Sequence, residues 1–130
     1  MTVTSEGLRI ELLEAENGTF FESGSPHLSA DGQEIVVVLA KQLGSLPNKL
    51  SVEGHTDAKP YARGGGYGNW ELSVDRANST RHLIQQNGVR QDQVLQVRGY
   101  ADQKLRKPDD QMDPSNRRVS LIVHNQGASN

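Results

Sequence analysis

The sequence contains no cysteine, which excludes disulfide bonds and thiolate metal ligands. It also lacks a long apolar run: hydrophobic residues make up 34% of the 130 residues, and no stretch is long enough to predict a membrane-spanning helix. An excess of one charge is missing too, because 14 Lys and Arg are mixed with 16 Asp and Glu. Because the chain has no cluster of basic residues, it is not expected to bind the phosphates of a nucleic acid.

The length of the chain allows one domain with a substantial core but not two ordinary domains. We expect this domain to cover residues 7–125. Residues 1–6 are predicted to be a flexible remnant, and residues 126–130 a flexible tail, because neither segment contains a pattern that requires order.

Apolar periodicity predicts four strands and two helices. In chain order these are a strand at Leu8–Leu12, a helix opened by Ser29 and ended by Gly44, a strand at Lys49–His55, a helix capped by Asn69 and ended near Asn87–Gly88, a strand ending at Gly99, and a strand at Val119–Val123. The aromatic pair Phe20–Phe21 is predicted to close the edge of the core. The β-α-β-α-β-β order predicts an α/β (α+β) two-layer sandwich, with a mixed four-stranded sheet and both helices on one face.

The stretch Gly54–Ala77 has the pattern of a binding site. Asp57 follows the second strand, and Arg76 lies about two turns into the second helix, so an anion and a cation are predicted to face a common space. The glycine-rich loop Ala58–Gly68 between them is long for a compact domain, and such loops are more often functional than idle.

Structural roles are possible for each of these residues. Asp57 and Arg76 can simply form a salt bridge at the rim, and either Arg117 or Arg118 can brace the turn before the last strand. Trp70 and Tyr67 can stack on sugars, but aromatic residues near a helix start more often pack into the core, and the core is the favoured prediction for both.

A zinc hydrolase is the alternative from another functional class. His55 and Asp57 form an H-x-D pair that could bind a metal ion, and Glu53 or Asp57 is the candidate general base of such an enzyme. The pair supplies only two metal ligands, however, and no motif supplies a third. No activated nucleophile is indicated either. We therefore expect a binding module with no catalytic residue, no metal and no cofactor.

Several short motifs, taken in order and spacing, resemble the OmpA-like peptidoglycan-binding domain. They are Gly54–Asp57, Asn69 with Leu72–Ser73 and Arg76–Ala77, Asn87–Val89, Gly99 and Asn116–Val119. Within that family, Gly7–Ile10, Pro60–Tyr61, Tyr67–Ser73 and Asp113–Pro114 are most similar to the periplasmic domains of bacterial flagellar stators. The long loop and the Gly99–Asp102 segment depart from the generic family pattern.

This resemblance implies a ligand and a cellular setting. The ligand is peptidoglycan, held through the diaminopimelate of its stem peptide by Asp57 and Arg76, with Thr56, Asn69, Leu72 and Arg118 lining the pocket. The setting is the periplasm, where the domain is expected to form a homodimer. The resemblance also implies that the full-length chain is anchored in the inner membrane by an N-terminal helix absent here, and that it works with a MotA-type membrane partner.

Two other binding functions stay open at this stage. One is the wall-tethering domain of a Pal- or OmpA-type outer-membrane protein, although the Asn69–Ser73 segment and the long loop favour the stator. The other is a dimerisation domain without wall contact.

Overall fold

The computed structural model of the protein describes residues 1–14, 20–22, 24–60 and 65–126. The strands and helices are β1 (Thr2–Val3), β2 (Gly7–Leu13), α1 (Ala30–Gly44), β3 (Leu50–His55), α2 (Asn69–Gln86), β4 (Val94–Gly99) and β5 (Arg118–His124). The fold class expected from the sequence is confirmed. Parts of the predicted glycine-rich loop (61–64) and of the predicted tail (127–130) lie outside the described residues.

The strands form one mixed sheet in the order β1-β2-β5-β3-β4. Only β3 and β4 are parallel; the other neighbours are antiparallel. The sheet has five strands rather than the four predicted, because Thr2–Val3 pairs with β2 at the edge. A strand of two residues is too short to show alternation, and a tight turn from Thr4 to Gly7, closed by backbone hydrogen bonds of 2.7 and 3.2 Å, directs it back onto β2.

The apolar core lies between the helices and one face of the sheet. It is built from side chains that alternate along the strands and recur at helical spacing, namely Leu12, Phe20, Phe21, Val36, Ala40, Leu43, Leu50, Val52, Ala77, Ile84, Val89, Val119, Leu121 and Val123. Phe20 and Phe21 are buried there, as predicted. In the described part of the chain, neither helix is long and apolar enough to cross a membrane.

Each helix begins with a backbone N–H satisfied by a side chain. Ser29 caps α1, and its hydroxyl accepts a hydrogen bond from the Gly32 N–H at 3.0 Å. In α2 the prediction of Asn69 as N-cap is wrong by one residue, because the extended backbone of Gly68 occupies that position and Asn69 is already helical. The carboxylate of Glu71 accepts from the Gly68 N–H at 2.8 Å, which is the position expected of a negative charge in a first turn.

The two aromatic residues near the start of α2 do not join the core. Trp70 is 53% exposed, because the buried positions of α2 begin at Leu72. Tyr67 is partly exposed, and its hydroxyl donates to the Asp75 carboxylate at 2.7 Å. The prediction of core positions for both residues is therefore wrong.

Helix α2 lies unusually close to the parallel strands. A Cβ on Gly54 would come within 2.0 Å of the Ser73 carbonyl oxygen, and one on Gly99 would come within 2.3 Å of the Val74 side chain. Glycine at both positions lets the helix backbone rest directly on β3 and β4. This contact sets the height of the first turns of α2 above the strand ends.

We predict that Gly54→Ala destabilises the domain by about 1 to 3 kcal/mol, because the added methyl group must push the backbone of Ser73 away from β3. Chemical denaturation gives the free energy of unfolding. The exposed helical residue Gln42 provides the control, since Gln42→Ala should stay within about 0.5 kcal/mol of the wild type. Equal stability of Gly54→Ala and the control would show that the backbone contact carries no such constraint.

Candidate functional site

The candidate site lies where β3 and β4 end side by side. Because these strands are parallel, their carboxyl ends meet at one edge of the sheet, the usual position of a site on such a scaffold. Beyond the strands, the Thr56 N–H donates to the Ala101 carbonyl at 2.8 Å, and the Tyr100 N–H donates to the Gly54 carbonyl at 3.1 Å. The two chains therefore stay joined as they leave the sheet.

Ala101 joins this edge to helix α2. Its N–H donates to the Ser73 hydroxyl at 3.1 Å, while its carbonyl accepts from Thr56. Ala101 adopts a left-handed backbone with φ 51°, which a non-glycine residue rarely takes, and its side chain is buried. Such conformations persist only where surrounding contacts fix them, and they concentrate at functional sites.

Asp57 is a buried carboxylate with identified partners. Its Oδ2 accepts from Arg117 Nη1 at 2.7 Å, and its Oδ1 accepts from the Lys59 N–H at 3.1 Å. The Asp57 side chain is only 7% exposed, whereas that of Arg117 is 25% exposed. The ion pair therefore has a covered anion and a cation that reaches the surface.

Three of the predicted lining residues lie at the end of β3 or at the start of α2. Thr56 is buried, and its hydroxyl donates to the Asp57 carbonyl at 2.9 Å. The side-chain amide of Asn69 donates to the Lys59 carbonyl at 3.1 Å, which ties the start of α2 to this loop. Leu72 is buried on the same helix. The structure thus gathers Asp57 and Asn69 around Lys59.

Arg76 is also buried, against a different part of the chain. Its Nε donates to the Ser25 carbonyl at 2.9 Å, and its guanidinium carbon lies 4.8 Å from the centre of the Phe21 ring. The salt-bridge partner of Asp57 is Arg117, so the simple rim pair between Asp57 and Arg76 is not what the structure contains. Convergence of Asp57 and Arg76 on one ligand stays a prediction.

The two consecutive arginines have different surroundings. Arg118 is buried, with Nε 3.3 Å from Glu11 Oε1 and its two terminal nitrogens donating to the carbonyls of Asn116 and Lys104 at 3.2 and 2.9 Å. Burial lowers the pKa of Arg118, against the opposing effect of Glu11. The family pattern pointed to Arg118, whereas Arg117 is the arginine at Asp57.

Strand register explains why Arg117, rather than Arg118, contacts Asp57. His55 pairs with Arg118 in the antiparallel pair of β3 and β5, so Thr56, which follows His55, and Arg117, which precedes Arg118, come to the same level at the edge of the site. Without the pairing of β3 with β5, nothing in the sequence distinguishes the two arginines. The assignment of Arg118 to a ligand pocket stays a prediction.

Two residues of the hydrolase hypothesis, Glu53 and His55, lie on the face of the sheet opposite the apolar core. Glu53 accepts from Arg9 at 2.8 Å and from Arg98 at 2.6 Å, and His55 Nε2 lies 3.3 Å from the same carboxylate. His55 also stacks on Tyr100, with ring centres 5.1 Å apart. In the described part of the chain, no group of three or more His, Asp or Glu is arranged to hold a metal ion.

The charges around Glu53 make it a poor base. Burial alone would raise the pKa of Glu53, but hydrogen bonds from His55, Arg9 and Arg98 outweigh burial and hold the pKa far below its usual range. Burial lowers the pKa of His55, and the hydrogen bond to Glu53 only partly offsets this. A carboxylate this weakly basic accepts protons poorly at neutral pH.

Comparison with known proteins agrees with this architecture. The sequence profile described as "OmpA family" matches residues 20–119, so the chain belongs to the OmpA family. It is similar to Motility protein B of Escherichia coli K12, with 42% identity over 130 residues. That alignment covers 97% of this chain and 41% of the relative, so the chain spans well under half the length of that protein.

Two solved structures share the fold. The periplasmic domain of Helicobacter pylori MotB superposes with a TM-score of 0.80 at 23% identity, covering 95% of this chain and 86% of the other. The cell wall anchor of the type VI secretion system from Pseudomonas aeruginosa superposes with a TM-score of 0.75 at 21% identity, covering 91% and 81%. At these identities the likeness concerns the fold alone.

We predict that Glu53→Gln costs about 3 kcal/mol at neutral pH, because Arg9 and Arg98 lose their shared counter-charge. A carboxylate whose pKa is lowered by folding stabilises the protein above its unfolded-state pKa, here near 4.5. That contribution decreases by about 1.4 kcal/mol per pH unit as the pH falls further, toward the lower folded-state pKa.

The stability difference between wild type and Glu53→Gln should therefore shrink below pH 4.5. Denaturant unfolding between neutral and acid pH measures this difference. Glu34→Gln, at an exposed carboxylate on α1, is the control and should follow the wild type throughout. A constant difference between wild type and Glu53→Gln across the pH range would contradict the assignment.

Proposed function

We propose that this domain binds peptidoglycan non-covalently and anchors a flagellar motor stator to the cell wall. The observation that carries the proposal is the buried carboxylate of Asp57, fixed by Arg117 at the exit of β3 and next to the helix that bears Arg76. Membership of the OmpA family and similarity to E. coli Motility protein B support it. So does the likeness in fold to the cell wall anchor from P. aeruginosa.

The chemistry of the proposed ligand matches the charges of the site. The side-chain end of diaminopimelate carries an ammonium and a carboxylate. A carboxylate offers about four acceptor positions, so Asp57, with its bonds from Arg117 and Lys59, can still accept from an ammonium. The planar guanidinium of Arg76 suits the ligand carboxylate, and helical side chains lean toward the helix N-terminus, where Asn69 and Leu72 lie.

Arg117 extends the proposed recognition beyond the pair predicted from sequence. Its guanidinium adjoins Asp57 and is partly exposed, so a ligand ammonium on Asp57 would bring its own carboxylate near a second cation. Arg118 is engaged with Glu11 and two backbone carbonyls. We assign ligand contact to Arg117, while Thr56, Asn69 and Leu72 complete the pocket and Arg118 supports it from beneath.

A single site of this kind binds weakly. A charge-assisted hydrogen bond contributes roughly 1.5 to 3 kcal/mol, and immobilising a polymer end costs several kcal/mol, so we expect affinity in the micromolar to millimolar range. Dimerisation would raise the effective concentration of the second contact on a repeating wall. We therefore propose a homodimer that holds the wall through two weak, exchangeable contacts.

The cellular setting follows from the same proposal. The H. pylori relative is a periplasmic domain, which supports a periplasmic position for this one. A stator also requires an inner-membrane helix in the N-terminal part of the full-length protein and a MotA-type membrane partner. We propose no catalytic activity, because Glu53 and His55 are held by arginines and by burial rather than directed at a substrate.

We predict that Asp57→Asn and Arg76→Lys each reduce binding to purified sacculi about 10- to 100-fold, the loss expected for one charge-assisted hydrogen bond. Asparagine keeps the shape of the side chain without the charge, and lysine keeps the charge without the planar fork. Co-sedimentation with sacculi gives the bound fraction, and thermal melts check that the variants are folded.

Matched controls are available for both changes. Asp109→Asn alters an exposed carboxylate outside the site, and Arg81→Lys alters an arginine further along α2. Both controls should pellet with sacculi like the wild type. The proposal is wrong if Asp57→Asn and Arg76→Lys pellet equally well with these controls.

The consecutive arginines give a second test. We predict that Arg117→Lys weakens sacculus binding with little change in melting temperature, because its side chain is partly exposed. Arg118→Lys should instead lower the melting temperature, since lysine cannot satisfy Glu11 and both carbonyls at once. The reverse pattern would restore Arg118 as the ligand residue.

A further inference from the structure

Trp70 is a large apolar side chain that is not packed into the core. It is the only tryptophan in the chain, and 53% of it is exposed in the first turn of α2. Val74, one turn later on the same side of the helix, is 38% exposed. Trp70 and Val74 therefore present apolar surface in the first two turns of α2, beside the candidate site.

Backbone contacts fix the position of Trp70 relative to the site. The Trp70 carbonyl accepts from the Ser73 hydroxyl at 2.9 Å, and that hydroxyl also accepts from the Ala101 N–H at 3.1 Å. The preceding residue, Asn69, holds the Lys59 carbonyl, and the Lys59 N–H holds Asp57. Hydrogen bonds therefore connect the backbone around Trp70 to the loop that follows Asp57.

We propose that Trp70 is a stacking platform for the glycan strand of peptidoglycan, an inference that rests on the function proposed above. Sugar rings present flat C–H faces edged by hydroxyl groups, and a tryptophan offers a flat apolar face with one N–H donor.

The ligand joins a glycan strand to the stem peptide. Diaminopimelate is the third residue of the stem peptide, so two residues, or roughly 7 Å of extended chain, separate it from the sugar-bearing end. On the protein, the Asp57 carboxylate accepts from the Lys59 N–H, the Lys59 carbonyl accepts from the Asn69 side chain, and Trp70 follows Asn69 in the chain. The proposed sugar contact and the proposed diaminopimelate contact therefore belong to one connected part of the fold.

The emission of the single tryptophan tests this directly, without any mutation. Peptide-free glycan strands, prepared by amidase digestion of sacculi, are titrated into the wild-type protein. We expect a saturable change in Trp70 emission, and the same change in Asp57→Asn, because the glycan contact does not need the carboxylate. No change up to saturating glycan would overturn the proposal.

A binding comparison uses intact sacculi and an isolated stem tripeptide. Trp70→Ala should weaken sacculus binding about threefold to tenfold and leave tripeptide binding unchanged, and Trp70→Phe should retain part of the sacculus binding. Met112→Ala, at another side chain that is 53% exposed, is the control and should bind like the wild type. Sacculus binding by Trp70→Ala equal to this control would overturn the proposal.

The outcomes separate the two proposals. If Asp57→Asn loses sacculus binding while glycan leaves Trp70 emission unchanged, only the glycan platform is wrong. If glycan changes the emission while Asp57→Asn binds sacculi normally, only the diaminopimelate site is wrong. An emission change that follows protein concentration without glycan would identify a second copy of the chain as the occupant and overturn the glycan assignment.

Discussion

The absence of a side chain at Gly54 and Gly99 is the constraint on which the arrangement of the site depends. Because these two positions carry no Cβ, the backbone of α2 at Ser73 and Val74 rests on the ends of β3 and β4. Ser73 can then accept from Ala101, and Asn69 can reach the carbonyl of Lys59. A helix held further from the sheet would make neither contact, and the loop after Asp57 would lose its attachment to α2.

The sheet separates two kinds of interaction onto its two faces. The face under the helices is apolar and supplies the burial that stabilises the domain. The other face carries Glu53 between Arg9 and Arg98, with His55 beside it. Its charges are satisfied internally, so they contribute to the architecture rather than to chemistry at the surface. The charged side chains at the strand ends, Asp57 and Arg117, belong to neither layer.

The sequence predicted those features that depend on local pattern. Alternation located the four longer strands, helical spacing located α1 and α2, and motif order located Asp57. Sequence analysis did not predict the features that depend on pairing between distant segments. Strand β1 is too short for its alternation to be visible, and which of Arg117 and Arg118 pairs with Asp57 follows from the register of β3 against β5. Trp70 was misassigned because the sequence does not show that the buried positions of α2 begin only at Leu72.

The register of the central strands also determines how the domain responds to a mechanical force that pulls on its two ends. Gly7, where β2 begins, pairs with His124 at one end of the sheet, whereas His55, two residues before Asp57, pairs with Arg118 at the other. A force applied between the start of β2 and the end of β3 is therefore directed along the strands. The hydrogen bonds between them run across that direction, so they are sheared together rather than opened one after another. The fold has the geometry of a mechanical clamp.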